Sequence, residues 1–261
     1  MTLTSNEAAD KVAVVMGGTS GIGLATARVL VEAGAWVTIA GRRQDKGEQA
    51  VAALGPRARY VRADVALADQ AAAVIDDAMQ RRGRLDWAVN AAAISDTRLV
   101  RTADITEDEW DRTIAADLKG AWLSMKYELT AMLGRGGGSI VNVSSVNGLS
   151  AAPTAAAYCA AKHAMHGLTK TAAAEYAADG IRVNVVCPGA HLTPMLRQVF
   201  EQRSPGQPEL AEAAYRGFIP MGRIGDPAEC ARAIAWLLSD AASYVTGAIL
   251  TVDGGIALRA G

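Results

Sequence analysis

The chain has 261 residues, of which 51% are hydrophobic and 20% are charged, and its formal net charge at pH 7 is −1. This length is enough to bury a substantial core and is compatible with one α/β domain. The near-neutral charge gives no electrostatic reason to bind nucleic acid or an anionic membrane, so we expect neither partner.

The cysteine content argues against both a disulfide framework and a zinc site. Cys159, Cys187 and Cys230 are odd in number and widely spaced. No cluster of His, Cys and carboxylate residues has the spacing of a transition-metal site, so we expect no bound metal. The polar, acidic N-terminus does not resemble a signal peptide, and no apolar run reaches the ~18 residues of a membrane span. We therefore expect a cytoplasmic protein.

Strands and helices alternate along the chain. The apolar run 11–16 predicts a buried strand, and a helix over 21–34 follows a glycine cluster. The remaining predicted elements are strand 35–40, helix 44–54, strand 58–62, helix 66–82, strand 85–90, helix 107–133, strand 138–144, helix 154–178, strand 181–187, helix 226–238 and strand 248–252. This alternation predicts a mostly parallel sheet of seven strands, covered by helices on both faces.

The segment 190–222 interrupts this alternation. Short helical pieces lie there between Pro194, Pro205, Pro208 and Pro220. A long insertion after a strand end is a candidate substrate lid. We therefore expect residues 1–261 to form one domain that carries this insertion.

A glycine loop, GGTSGIG at 17–23, follows the first strand and opens the first helix. Glycines at Gly17, Gly21 and Gly23 permit a tight turn and let the backbone approach a pyrophosphate at the helix N-terminus. Glycine-rich turns are common, but this position between strand and helix predicts a dinucleotide site. The spacing is Gly-x-x-x-Gly-x-Gly and differs from the Gly-x-Gly-x-x-Gly fingerprint.

Tyr158 and Lys162 lie four residues apart on a predicted helix and therefore share one face. Tyrosine has a pKa near ~10 and is a poor base at neutral pH. A nearby ammonium favours the phenolate and lowers that pKa. Hydride transfer between a carbinol carbon and nicotinamide requires such a proton partner. Taken alone, such a pair more often marks two surface residues on an amphipathic helix.

Four motifs occur in a characteristic order: GGTSGIG, Tyr158-Cys-Ala-Ala-Lys162, Cys187-Pro188-Gly189 and the ending YVTGAILTVDGG. Over about residues 11–256, the chain resembles the short-chain dehydrogenase/reductase family. The resemblance implies a doubly wound Rossmann-type fold and an NAD(P)-dependent oxidoreductase that acts on a secondary alcohol or ketone. It also implies a homotetramer.

The resemblance implies the catalytic roles as well. Tyr158 would be the acid/base, and Lys162 would hold the nicotinamide ribose and polarise Tyr158. Ser145 would bind the reacting oxygen, and its neighbour Ser144 would be structural. Where the family usually has an asparagine, this chain has Asp117. A carboxylate only accepts hydrogen bonds and would partly offset the effect of Lys162, so we expect a higher pH optimum.

The residue that closes the second strand selects the nucleotide in this family. Here Ala40-Gly41 is followed by Arg42 and Arg43, with no carboxylate. Guanidinium groups pair well with a 2′-phosphate, which favours NADP(H). NAD(H) remains possible if the two arginines only face solvent. The other implied cofactor contacts are Gly17, Thr19, Ser20, Gly21, Ile22, Gly23, Asp64, Val65, Asn90, Ala91, Ala92, Pro188, Gly189, His191 and Thr193, besides Tyr158 and Lys162.

The substrate contacts are expected from the lid and from Ser145, Val146, Asn147, Ala152, Tyr158 and His191. A mainly apolar, small or mid-sized alcohol or ketone would fit these residues. The segments MKYELTAML and KHAMHGLTKTAAAEYA are similar to those of bacterial members that act on cyclic alcohols and diols. The alternative is a nucleotide-binding sensor or scaffold with little turnover. A serine hydrolase is excluded because no Gly-x-Ser-x-Gly elbow follows a strand.

The stretch VNAAAI at 89–94 departs from the family's usual Asn-Asn-Ala-Gly, and Met16 replaces the usual threonine on the first strand. We expect Met16 to pack against Ala91 or Ala93, so that this floor of the site is repacked rather than lost. His163 and His166 are expected to be packing or surface residues. Cys187 is expected to be buried and inert.

Overall fold

The computed structural model describes residues 8–94 and 98–259. Seven strands form one sheet in the order β3-β2-β1-β4-β5-β6-β7, and every neighbouring pair is parallel. The predicted parallel sheet is thus confirmed, while most of the polar N-terminal segment lies outside the described residues. The strands are β1 (Val12–Met16), β2 (Trp36–Gly41), β3 (Ala58–Arg62), β4 (Trp87–Asn90), β5 (Gly138–Val143), β6 (Ile181–Pro188) and β7 (Ile249–Val252).

Nine α-helices accompany the sheet in the described part of the chain. They are α1 (Gly21–Glu32), α2 (Gln44–Leu54), α3 (Ala68–Arg82), α4 (Glu107–Ile114), α5 (Gly120–Leu133), α6 (Ala156–Tyr176), α7 (Pro194–Arg203), α8 (Pro208–Phe218) and α9 (Pro227–Leu238). Helices α1, α2 and α9 cover one face of the sheet, and α3, α5 and α6 cover the other. None of the described helices is long and apolar enough to cross a membrane.

The alternation of side chains along β1 produces these two cores. Val12, Val14 and Met16 point to the α3/α5/α6 face, whereas Ala13 and Val15 point to the α1/α2/α9 face. All five side chains are buried, as expected for a central strand covered on both sides.

The predicted helix over 107–133 is interrupted. Thr106 and Glu109 form a capping box that starts α4, but Ala115–Lys119 forms a π turn before α5 begins. Such turns add a residue to the helix and occur often at functional sites. At α9 the predicted N-cap is confirmed, because the Asp226 side chain accepts a hydrogen bond from Ala228 N.

The segment 190–222 contains α7 and α8, which pack on each other. Thr193 caps α7 by accepting a hydrogen bond from Leu196 N at 3.2 Å. Phe200 is buried and meets the Tyr215 ring edge-on, with the ring centroids 5.2 Å apart. These two aromatic residues therefore form the interior of the helical pair, and Phe218 faces solvent.

The strand order reverses between β1 and β4, because the chain runs outward from β1 through β2 to β3 and then returns to β4. In open parallel sheets, ligands bind in the crevice at the carboxyl ends of the strands at such a point. The glycine loop, the VNAAAI stretch and the end of β5 all lie at this edge.

Candidate active site

The glycine loop is held tightly against its neighbours. Gly17 has a φ of +78°, and a Cβ on it would lie 2.6 Å from Ala92 N. A Cβ on Gly23 would lie 2.3 Å from Gly17 O, so neither position accepts a side chain. The side chain of Ser20, the N-cap of α1, makes no capping hydrogen bond. The first amide groups of α1 are therefore left for an anionic ligand, which suits a pyrophosphate.

The adenosine end of the crevice lies beyond β2 and β3. A Cβ on Gly41 would meet the Thr19 side chain at 2.8 Å, so the loop and the end of β2 are in contact. Arg42 and Arg43 are exposed, and neither forms an ion pair with a carboxylate of the described residues. Asp64 Oδ1 accepts a hydrogen bond from Ala66 N, and Val65 beside it is buried.

The floor of the crevice differs in part from the expectation. Met16 lies in the core of the α3/α5/α6 face, against which Ala92 packs, whereas Ala91 packs against the opposite core. Of the two contacts predicted for Met16, the one with Ala91 is therefore wrong, because consecutive residues here face opposite sides of the sheet. The contact with Ala93 stays a prediction. Ala91 still continues the strand pairing, since its N–H donates to Met16 O at 2.9 Å.

Asn90 has its side chain in the interior of the protein. It is buried, and its Nδ2 donates to Glu128 Oε2 and to Asn142 Oδ1, each at 3.0 Å. Any contact of Asn90 with a nucleotide is therefore left to its backbone.

Ser145, Tyr158 and Lys162 meet at the end of β5. Ser145 follows this strand, and its Oγ accepts a hydrogen bond from Asn147 N at 3.1 Å. It also hydrogen-bonds Tyr158, which lies on the first turn of α6. Lys162 is one helical turn further and donates to Val143 O at 3.2 Å. The predicted catalytic residues are thus brought together.

The pKa of Tyr158 is raised in this structure, mainly by burial and then by the negative charge of Asp117, while the hydrogen bond from Ser145 lowers it. This corrects the expectation that Lys162 would lower the pKa. The Lys162 ammonium lies 5.3 Å from the Tyr158 ring centroid and 3.8 Å from Asp117 Oδ2. Burial also lowers the pKa of Lys162, and Asp117 opposes that shift.

Asp117 lies in the π turn and is fully buried. Its Oδ1 accepts a hydrogen bond from Ile94 N at 2.9 Å, which ties the helix to the end of the VNAAAI stretch. Its other oxygen faces Lys162. Asp117 is therefore in direct contact with the cluster that contains Tyr158.

The nicotinamide end is formed by the residues that follow β6. Pro188 is buried, and a Cβ on Gly189 would lie 2.7 Å from Asp253. A Cβ on Gly21 would meet the Thr193 methyl at 3.2 Å, so the start of the lid approaches the glycine loop.

The His191 ring does not project into open space. It packs closely against Gly225, and its Nδ1 lies 3.3 Å from Gly189 O. Of the other expected substrate contacts, Val146, Asn147 and Ala152 lie half-exposed after Ser145.

The role of His166 was missed from the sequence. Its ring is 8% exposed, and its Nε2 lies 3.0 Å from Ser144 Oγ and 3.3 Å from Cys187 Sγ. Ser144 in turn donates to Lys162 O at 3.1 Å. The sequence contains one signal for His166: it follows Lys162 by four residues, just as Lys162 follows Tyr158 by four residues. His166 thus joins the segment before Ser145 to the end of β6.

Cys187 is buried as expected, and burial raises the pKa of its thiol to about 11. Burial lowers the pKa of His166, so it favours the neutral form of both groups. The two groups are therefore neutral hydrogen-bonding partners near pH 7.

Comparisons with known proteins agree with this arrangement. A family model described as "Enoyl-(Acyl carrier protein) reductase" matches residues 17–257. The chain is 42% identical to 2,5-dichloro-2,5-cyclohexadiene-1,4-diol dehydrogenase of Sphingobium indicum, over 94% of this chain and 96% of that protein. It is 43% identical to cis-4-hydroxycyclohexanecarboxylate dehydrogenase of Sinomonas cyclohexanicum, over 95% of this chain and 96% of that protein.

A solved structure is also similar. The crystal structure of levodione reductase superposes with a TM-score of 0.94 at 34% identity and covers 96% of this chain and 99% of its own. The overall fold is therefore shared with a protein named as a reductase.

Proposed function

The chain belongs to the short-chain dehydrogenase/reductase family, and from that premise we propose that it transfers a hydride between NADP(H) and the ring carbon of a cyclic secondary alcohol or ketone. The observation that carries the proposal is the cluster of Ser145, Tyr158 and Lys162 at the crevice that also contains the glycine loop. A bound nicotinamide would supply or accept the hydride at this place.

The residues of this chain would handle the proton and the orientation of the substrate. Ser145 binds the reacting oxygen and directs it toward Tyr158. Tyr158 gives its proton to that oxygen during reduction and takes it back during oxidation. Lys162 would hold the nicotinamide ribose, and its ammonium group lies 3.8 Å from Asp117 Oδ2. Burial of the cluster strengthens each of these interactions.

The cyclic substrate is supported by the two relatives named for cyclohexane-type rings. The test compares cyclic secondary alcohols and diols with open-chain alcohols of equal carbon number, by following formation of the reduced nucleotide. We expect a higher kcat/KM for the rings. Equal values across both series would contradict the cyclic assignment. The matched control is Tyr158→Phe, which should lower kcat about 100- to 10,000-fold.

The preference for NADP(H) is supported by the exposed Arg42 and Arg43 at the end of β2 and by the lack of a carboxylate there. The measurement is the ratio of kcat/KM for NADPH over NADH in the wild type and in the double Arg42→Ala, Arg43→Ala variant. A ratio above one that falls in the variant supports the proposal. A wild-type ratio below one would assign NAD(H) instead.

The second candidate is a nucleotide sensor with little turnover. The observation that favours it is Asp117, whose charge raises the pKa of Tyr158 and so opposes formation of the phenolate. NADPH fluorescence would report binding, and its loss on addition of cyclic ketones would report turnover. Binding without oxidation over the whole panel would favour the sensor.

We further propose a homotetramer. Large apolar side chains are exposed on α4 and α5, where Trp110 is 41% and Trp122 is 45% exposed. Tyr244, close to the edge strand β7, is fully exposed. Such side chains are typical of protein–protein contacts. Light scattering after size-exclusion chromatography measures the mass directly, and a monomer at micromolar concentration would contradict this proposal.

A further inference from the structure

A buried carboxyl group that the reaction does not use lies beneath the crevice. Glu128, on α5, is fully buried and faces the sheet. It accepts one hydrogen bond from Asn90 at the end of β4. Asn90 also donates to Asn142, which donates in turn to Thr169 Oγ1 at 2.9 Å. These four polar side chains form a line from α5 along one face of the sheet to α6.

Two oxygens in this line have no donor among the described residues. They are Asn90 Oδ1 and Glu128 Oε1, which belong to side chains already joined by a hydrogen bond. Both hydrogens of the Asn90 amide are used, because Nδ2 donates twice. Buried acceptors without a donor are destabilising, and such groups are rare in native proteins.

A single proton would satisfy both oxygens. If Glu128 carries a proton on Oε1, this O–H can donate to Asn90 Oδ1 while Oε2 accepts from Asn90 Nδ2. The result is a cyclic acid–amide pair with two hydrogen bonds. An ionised carboxylate could only accept hydrogen bonds and would leave Asn90 Oδ1 without a donor.

The surroundings of Glu128 favour the neutral acid. Burial raises the pKa of Glu128 to about 8, and the hydrogen bond from Asn90 partly opposes this. On α3, the buried side chains are Ala71, Val74, Ile75 and Ala78. Strands β4 and β5 carry no charged residue. The causes of this shift include no titratable group of the other packed elements, such as Asp117 in the π turn, Lys162 and His166 on α6, or Arg182 and Cys187 on β6.

We propose that Glu128 is a neutral acid at pH 7, that its proton pairs it with Asn90, and that this pair is a positioning device for the end of β4. Asn90 is followed directly by Ala91 and Ala92, and Gly17 packs against the Ala92 backbone. The pair therefore fixes the floor on which the glycine loop rests. The link from this floor to nucleotide binding rests on the proposed function.

The sign of the pH dependence follows from the raised pKa. The folded protein holds this proton up to about pH 8, whereas an unfolded glutamate releases it near ~4.3. The stability that the proton provides is complete below ~4.3 and is lost as the pH rises toward about 8. Glu128→Gln presents an oxygen and an NH₂ group in place of the acid, and it cannot lose a proton.

The first experiment measures the melting temperature of the protein without nucleotide from pH 5 to pH 9. We expect wild type and Glu128→Gln to be similar at pH 5 and the variant to become the more stable as the pH rises. Parallel curves, or a variant that is less stable at every pH, would overturn the proposal. The matched control is Glu109→Gln, since Arg98 lowers the pKa of Glu109 to about 2. This variant should lose stability at neutral pH.

Infrared spectroscopy keeps the proposal testable even if Glu128→Gln does not fold. Wild-type protein at pH 6 should show the C=O band of a protonated carboxylic acid, which disappears as the pH passes about 8. The absence of this band at pH 6 would overturn the proposal.

The positioning role needs a separate readout. The Kd for NADPH should rise above pH 8 in wild type more than in Glu128→Gln. The same pH dependence of the Kd for NADPH in both proteins would contradict the positioning role. If NADPH does not bind at any pH, the proposed function fails, whereas the melting and infrared results still decide the protonation of Glu128.

Discussion

Two buried carboxyl groups on one helical segment have opposite surroundings. Asp117 and Glu128 are both 0% exposed. Asp117 faces an ammonium group at 3.8 Å, whereas Glu128 faces amides and apolar side chains. We call the surroundings of Asp117 and Lys162 the charged region, which contains the predicted catalytic residues. We call the surroundings of Glu128 and Asn90 the neutral region, which lies beneath the crevice. Burial alone therefore does not decide the charge of a carboxyl group, because its partners determine which form is stable.

The largest effect is expected from removing the cation of the charged region. Lys162→Met leaves Asp117 without the ammonium group, which should lower the free energy of unfolding by about 3–5 kcal/mol. Activity should also be lost. Adding Asp117→Asn should restore much of the stability but not the activity, as measured by chemical denaturation and by turnover. If the double variant is no more stable than Lys162→Met, the two side chains are not coupled.

A polar group added to the neutral region should be destabilising. Met16→Thr places a hydroxyl in the core that contains Met125 and Leu129, and we expect a loss of about 1–3 kcal/mol. The pairing of β1 and β4 sets Met16 opposite Asn90. An increase in melting temperature would mean that the hydroxyl has found a free acceptor there. Met16→Leu is the control, with an expected change below about 1.5 kcal/mol.

His166 lies close to the charged region but contributes neutral hydrogen bonds. His166→Leu leaves Ser144 without this partner and should cost about 1–2 kcal/mol of stability. It should also lower kcat more than it raises KM, because Ser144 precedes Ser145. His166→Gln can still hydrogen-bond Ser144 and should recover part of both losses. Steady-state kinetics that are unchanged in His166→Leu would limit His166 to packing.

The finest change is expected in the pH profile of Asp117→Asn, a variant that keeps the acceptor for Ile94 N. The charge of Asp117 raises the pKa of Tyr158, so its removal should move the pH profile of alcohol oxidation to lower pH. The measurement is log kcat/KM against pH for the two proteins. Coincident profiles would show that Asp117 does not affect Tyr158.

The regular elements were largely predictable from the sequence. The boundaries of α2 and β3 agree with the prediction to the residue, and Gly55 marks the end of α2. The π turn was not predicted, because one added residue within a helix changes neither composition nor polarity. Apolar periodicity also does not reveal which of two adjacent residues faces the sheet at the end of a strand, as the position of Ala91 shows.

The candidate site was predictable where a motif specifies it. The family resemblance implies the roles of Ser145, Tyr158 and Lys162, and the structure brings these residues together. The pairing of Asn90 with Glu128 joins residues that are distant in the chain, and only the fold reveals it. The sequence shows Lys162 beside Tyr158 but not the burial of the site, which is the main reason that the pKa of Tyr158 is raised.

The π turn at Ala115–Lys119 has a consequence for both regions at once. An α-helix turns by about 100° per residue, so the added residue sets the rotational phase of everything that follows it. Asp117 within the turn faces Lys162, and Glu128 after the turn faces Asn90. Deleting one residue from the turn would rotate α5 and move Glu128 away from the sheet, although the sequence around Glu128 would be unchanged. The rotation of this one helical segment thus determines both the contact of Asp117 with Lys162 and the contact of Glu128 with Asn90.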